Sequence, residues 1–167
     1  MVCGSLHAMD DLITLLRQNA RTSAEDLARE LNTDEDDIHD RIKALEQDGV
    51  ILGYQAIVDP QKIAKSPVSA VIEVKITPER GGGFDRLADR IAKFEQVQSC
   101  YLMSGGYDLL VIAEGETLQE IAAFISEKLS TIRGVLSTAT HFRLKSYKEN
   151  GVSLLQHSKS QRLAVAP

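Results

Sequence analysis

Residues 19–54 read NARTSAEDLARELNTDEDDIHDRIKALEQDGVILGY, a stretch that spells two short helices joined by a tight turn. Thr22 and Ser23 precede Ala24-Glu25-Asp26-Leu27, which supplies a capping hydroxyl and acids for a first turn. Leu27, Ala28 and Leu31 then share one helical face, and Asn32 should end the helix. Thr33 should cap a second helix in Thr33-Asp34-Glu35-Asp36, a variant of the capping box. Ile38, Ile42 and Leu45 are its buried stripe, and Gly49 closes it. Upstream, Leu12, Ile13, Leu15 and Leu16 predict a helix from Asp10 to Asn19 that packs under the other two, while residues 1–8 read as an extension. Downstream, Val50 to Val58 reads as a strand or strand pair. Residues 1–60 are therefore expected to form a winged helix-turn-helix domain that offers its second helix to a DNA major groove.

A linker at residues 61–67 follows the break at Asp59-Pro60, and the pattern then changes. Val68, Ala70, Ile72, Val74 and Ile76 alternate with Ser69, Val71, Glu73, Lys75 and Thr77, the period-two pattern of a half-buried strand ended by Pro78 and Gly81-Gly82-Gly83. Phe84, Leu87, Ala88, Ile91 and Phe94 fall on one helical face. Val97 to Ser104 and Asp108 to Glu114 predict two strands around the turn Gly105-Gly106-Tyr107. Leu118, Ile121, Ala122, Ile125, Leu129 and Ile132 mark a second amphipathic helix stopped by Gly134, and Thr138, Thr140, Phe142 and Leu144 alternate in a last strand. Strand, helix, strand, strand, helix, strand is the ferredoxin-like order, so the fold class is α+β, with a ferredoxin-like βαββαβ domain over residues 68–148. One face of such a sheet lacks helices. Val71, Tyr101 and Met103 would make it an exposed apolar patch, which dimerisation would cover. Residues 149–167 form a C-terminal extension that reads as a flexible terminus, with a docking arm for a neighbouring subunit as the alternative.

The run Arg21-Thr22-Ser23-Ala24-Glu25-Asp26-Leu27-Ala28, then Arg41-Ile42-Lys43-Ala44-Leu45-Glu46-Gln47-Asp48-Gly49-Val50-Ile51, then Tyr54, resembles the DNA-binding half of the Lrp/AsnC family, the feast/famine regulators. The resemblance extends from about Asp10 to Lys148. It implies a bacterial or archaeal transcription factor that joins a helix-turn-helix domain to an amino-acid-sensing domain. It also implies a homodimer paired sheet to sheet, with four dimers often stacked into an octamer.

Gly105-Gly106-Tyr107-Asp108 matches the family's glycine-x-x-aspartate hairpin. Glycines permit positive φ and leave N–H groups unshielded, so the turn suits a carboxylate while Asp108 faces an α-amino group. A plain hairpin in which Asp108 caps its own backbone is the competing reading. Thr138 and Thr140 resemble the family's threonine-containing last strand, which lies by the ligand cleft of the assembled oligomer, although strand propensity alone accounts for threonine there.

Composition bounds the remaining readings. With 167 residues, 43% of them apolar, and no long uncharged hydrophobic run, the chain is expected to be a cytoplasmic protein of one or two domains, without a membrane span or signal peptide. Cys3 and Cys100 lack metal-ligand spacing and read as reduced thiols, with Cys100 a small core residue. His7, His39, His141 and His157 are scattered, so no metal or other cofactor is expected. Sirohaem decarboxylases share a related layout, but Tyr101 to Asp108 lacks the histidine and aromatic-rich run expected of them, and the chain is read as a non-enzyme.

Charge complicates the DNA reading. Between Asp34 and Asp48 stand seven acids against Arg41 and Lys43, and residues 1–60 carry 5 basic and 13 acidic side chains, a net of −8, while residues 61–167 have a net of +3. Phosphate contacts normally rely on lysine and arginine. His39 and Lys43 on the exposed helix face are the candidates for base contact, with Arg17, Arg21 and Arg29 for phosphate, and Arg41 is expected in an internal ion pair. The alternative is a ligand-binding oligomeric scaffold with weak or no DNA binding of its own, acting through a protein partner.

Overall fold

Helix boundaries in the N-terminal half follow from where side chains find backbone donors. The computed structural model describes residues 3–77 and 83–155, which divide into two compact units, 1–56 and 57–167. In the first unit α1 spans Cys3–Gln18, α2 Ala24–Leu31 and α3 Glu35–Gln47. Helix α1 starts well before the expected Asp10, because Cys3 to Met9 contains no proline and adding turns to an existing helix costs little. Ser23 caps α2, its Oγ accepting from the Asp26 N–H at 3.1 Å, and Asn32 ends the helix in the left-handed region at φ 53°. The cap of α3 is Asp34, not Thr33. The Asp34 carboxylate accepts from the Asp37 N–H at 2.8 Å, and the Thr33 hydroxyl turns instead to the Asp37 carboxylate at 2.7 Å. Leu12, Leu16, Leu27, Ala28, Ile38 and Leu45 form the three-helix core. Removing the cap by Asp34→Ala is expected to cost about 1 kcal/mol, seen as a lowered midpoint in thermal unfolding of the N-terminal unit.

The strand expected over Val50–Val58 does not form. The Val50 and Ile51 amides both donate to the Leu45 carbonyl, at 2.9 and 3.0 Å, and so close α3 rather than start a ladder. A strand pair without a third strand or a covering helix is marginal, and Leu52 is left 92% exposed. The Tyr54 hydroxyl donates to Glu46 at 2.9 Å and ties this segment to α3.

The second unit contains β1 (Val68–Ile76), α4 (Asp85–Ala92), β2 (Val97–Leu102), β3 (Leu109–Gly115), α5 (Leu118–Ala123, continued as a π-helix through Phe124–Leu129) and β4 (Val135–Phe142). The antiparallel sheet has the order β2-β3-β1-β4, the ferredoxin-like arrangement. Ala70, Ile72, Val74 and Ile76 of β1 face the helices with Leu109, Val111 and Ala113 of β3, and α4 and α5 cover them through Leu87, Ile91, Ile121 and Phe124. Cys100 packs against this core, and burial pushes its thiol pKa up.

Two expectations change in this unit. Phe124 takes the buried place given to Ala122, because the π-turn widens the step so that Phe124 and Leu129, five apart, both face the sheet. The Ser130 N–H donates to the Ile125 carbonyl at 2.9 Å across that wider turn. Leu144 lies beyond β4 and is 96% exposed, since the ladder with β1 ends at the Ala70–Phe142 pair. Beyond β4, β5 (Lys148–Glu149) and β6 (Val152–Ser153) form a small hairpin. Arg143 ties it to the sheet by pairing with Glu114 of β3 at 3.2 Å and Glu149 of β5 at 3.6 Å. Pro78 and Gly81-Gly82, read as the end of the first strand, and residues 156–167 of the extension lie outside the described residues.

Candidate functional site

In the N-terminal unit, the exposed face of α3 carries His39 and Lys43 one turn apart, with Asp36 and Asp40 beside them. His39 Nδ1 lies 2.8 Å from the Glu35 carbonyl oxygen. Arg17 at the end of α1 and Arg21 in the turn before α2 are also exposed. Arg29 is exposed but already neutralised, pairing with Glu25 and Asp26 at 2.9 Å each, which weakens it as a phosphate ligand. Arg41 pairs internally with Asp37 at 2.6 Å, as its position beside the packed stripe suggested. The Thr33 hydroxyl, opposed by desolvation and aided by Arg41, holds the Asp37 carboxyl below its ordinary range. Burial and the neighbouring Glu46 carboxylate raise the Tyr54 pKa.

In the C-terminal unit the β2–β3 hairpin carries Gly105, Gly106, Tyr107 and Asp108. Gly105 has φ +146°, and no heavy atom lies within 4 Å of where a Cβ would stand on either glycine. Asp108 is half-buried and knitted into the sheet. Its N–H donates to the Val74 carbonyl at 3.1 Å, and its Oδ2 accepts from the Ile76 N–H at 2.8 Å. The ladder between β1 and β3 ends at the Val74–Leu109 pair, so the carboxylate supplies the next acceptor in place of a main-chain carbonyl.

Thr138 pairs with the same Val74 from the other side of β1, and Thr140 pairs with Ile72 two residues further on. Asp108 and Thr138 thus flank one stretch of β1 two strand spacings apart, about 10 Å, while Thr140 is displaced roughly 7 Å along β4. Both threonines lie on the helix-covered side of the sheet with Ile72 and Val74, half-buried, and Thr138 Oγ1 is 3.4 Å from the Ser130 hydroxyl. Two partners in this arrangement escape sequence reasoning. The Ile76 amide has no side-chain signature, and Ser130 reaches Thr138 because the π-turn ends there.

The face of the sheet without helices carries Val71, Tyr101, Leu110 and Ile112, with Tyr101 50% exposed. The His141–Glu73 pair, at 3.4 Å, lies on the same face. Among the described residues no group of three or more His, Cys, Asp or Glu is placed to hold a metal, and no helix is long and apolar enough to cross a membrane.

The pattern of the AsnC-type helix-turn-helix domain matches residues 11–46, and that of the Lrp/AsnC ligand binding domain matches residues 69–153. The chain belongs to the Lrp/AsnC family. An uncharacterized HTH-type transcriptional regulator of Bacillus subtilis, YugG, is 40% identical over 158 residues, covering 94% of this chain and 95% of that protein. The leucine-responsive regulatory protein of Haemophilus influenzae is 26% identical, over 91% of this chain and 92% of that one. Among solved structures, AsnC of E. coli superposes with a TM-score of 0.64 at 20% identity, over 86% of this chain and 94% of that one. A transcriptional regulator of Neisseria meningitidis in complex with L-Met superposes at 0.67 with 23% identity, over 88% and 95%. This Lrp/AsnC chain is thus a DNA-binding transcriptional regulator with a ligand-binding domain, and its relatives are named as regulators rather than as scaffolds or enzymes.

Proposed function

We propose that this Lrp/AsnC regulator senses a free amino acid at the Gly105-Gly106-Tyr107-Asp108 hairpin and β4, and that the effector alters DNA binding by the α3 domain. The observation that carries the reading is the half-buried Asp108 carboxylate, fixed by the Ile76 amide beside an open glycine turn. Gly105 and Gly106 offer amides to the effector's carboxylate, Asp108 takes its ammonium, and Thr138 and Thr140 contribute from β4 on the far side of β1. The L-Met complex of the Neisseria protein supports this ligand class. The chain works as a homodimer joined through the open faces of its sheets, with assembly to an octamer as the further step. His39 and Lys43 address bases, and Arg17 and Arg21 address phosphates. An effector acts here by favouring one oligomeric arrangement over another.

Calorimetry with a panel of amino acids tests the site through two substitutions that separate its duties. Asp108→Ala removes both the ammonium partner and the acceptor for Ile76, so amino-acid affinity is expected to fall about 10–100-fold and stability by about 1–3 kcal/mol. Asp108→Asn keeps an oxygen for Ile76 and is expected to keep the stability while losing the affinity. Wild-type affinity in both variants removes the hairpin from the site. No heat with any amino acid for the wild type removes this effector class.

A further inference from the structure

The polar face of α4, together with Arg133 after the π-turn, lines a groove of about 340 Å³. Arg86, Arg90, Lys93 and Arg133 contribute four positive charges to it and Asp89 one negative, and Leu87 forms its floor. All five charged side chains are exposed. Arg86, Arg90 and Lys93 stand at i, i+4 and i+7, so they form one row along the helix, about 10 Å from first to last. The N-terminal unit has the opposite charge balance, with 13 acidic against 5 basic side chains in residues 1–60.

We propose that this groove is a second DNA contact, a row of cations that binds the sugar-phosphate backbone outside the sequence read by α3. A linear row of exposed cations fits a linear polyanion, since one DNA strand advances about 3.4 Å per phosphate and the row spans about three of them. A small phosphate ligand would call for converging, buried donors, and these side chains lie open along α4 and beside it. The groove supplies the counterion release that the acidic unit around α3 lacks, and makes this chain's DNA affinity depend on its C-terminal unit. The proposal rests on the family's DNA binding, and the test separates the two.

Full-length protein is titrated with a mixed-sequence DNA duplex over a range of salt. The groove variant Arg90→Glu/Lys93→Glu/Arg133→Glu is compared with a control of equal charge change elsewhere in the unit, Lys65→Glu/Lys128→Glu/Lys148→Glu. Thermal melts and amino-acid calorimetry check that both variants keep the wild-type fold. The groove variant is expected to lose about three from the slope of log affinity against log salt and more than tenfold in affinity at moderate salt, with a smaller loss in the control. Equal losses in both variants would reduce the effect to net charge and overturn the groove. An unchanged slope in the groove variant overturns it as well, while a wild type that binds no duplex at any salt overturns the DNA reading beneath it. Binding of inorganic tripolyphosphate that the groove variant loses, with its DNA slope intact, would reassign the groove to a small anion and overturn the proposal.

Discussion

Replacing Ile72 by alanine is expected to destabilise the C-terminal unit by about 2–5 kcal/mol. Ile72 is fully buried at the centre of the sheet, with Val111 of β3 on one side and Thr140 of β4 on the other. Neither neighbour can move to fill the space, because each is fixed by its own ladder with β1. At about 4–8 °C per kcal/mol for a unit of this size, the midpoint of thermal unfolding should fall by about 8 °C or more. Ile72→Val, which removes one methylene, should cost only about 0.5–1.5 kcal/mol. A midpoint for the alanine variant within 3 °C of the wild type would mean that the helix layer collapses onto the gap.

The second large effect concerns assembly. Ile112 lies on the helix-free face of the sheet, paired with Val71 on one side and Ser99 on the other, in a patch that Tyr101 and Leu110 extend. It is half-buried in the single chain, so Ile112→Glu leaves the unit folded. In a homodimer joined through this face the new carboxylate would lie in an apolar interface without a partner, a penalty of several kcal/mol in each protomer. Light scattering should then report a particle of 18.4 kDa, the mass of one chain. An unchanged oligomer mass would take this face out of the interface.

The fold was legible wherever periodicity carried it. The stripes of α2, α3 and α4, the alternation of β1 and the glycine turn of the hairpin each record one buried face, and a buried face recurs in sequence at the period of its element. What sequence could not show were hydrogen-bond choices among equally capable groups. Thr33 and Asp34 are both good caps, and only the geometry of the turn gives the Asp37 amide to Asp34. Val50 to Val58 has strand composition, yet its first amides close α3 and nothing in a single chain's sequence reveals whether a partner strand exists. The candidate effector residues were named from a motif, but the grip of Asp108 on the Ile76 amide was invisible, because its partner is a backbone atom 32 residues away. The groove beside α4 has no sequence signature, since only the fold brings Arg133 next to Arg90 and Lys93.

The π-turn also fixes how much chain the second helix of the C-terminal unit must hold. Phe124 and Leu129 are both buried with four residues between them, where an ordinary helix would place three. Deleting one residue of the exposed run from Ser126 to Lys128 would let the helix take regular pitch with both anchors still on the sheet, whereas holding all of these residues in a regular helix would turn everything after them by about 100° and swing Leu129 and Ile132 off it. The extra residue therefore behaves as a frame mark: relatives that are α-helical throughout must be one residue shorter between these two anchors, or seat a different side chain at the second.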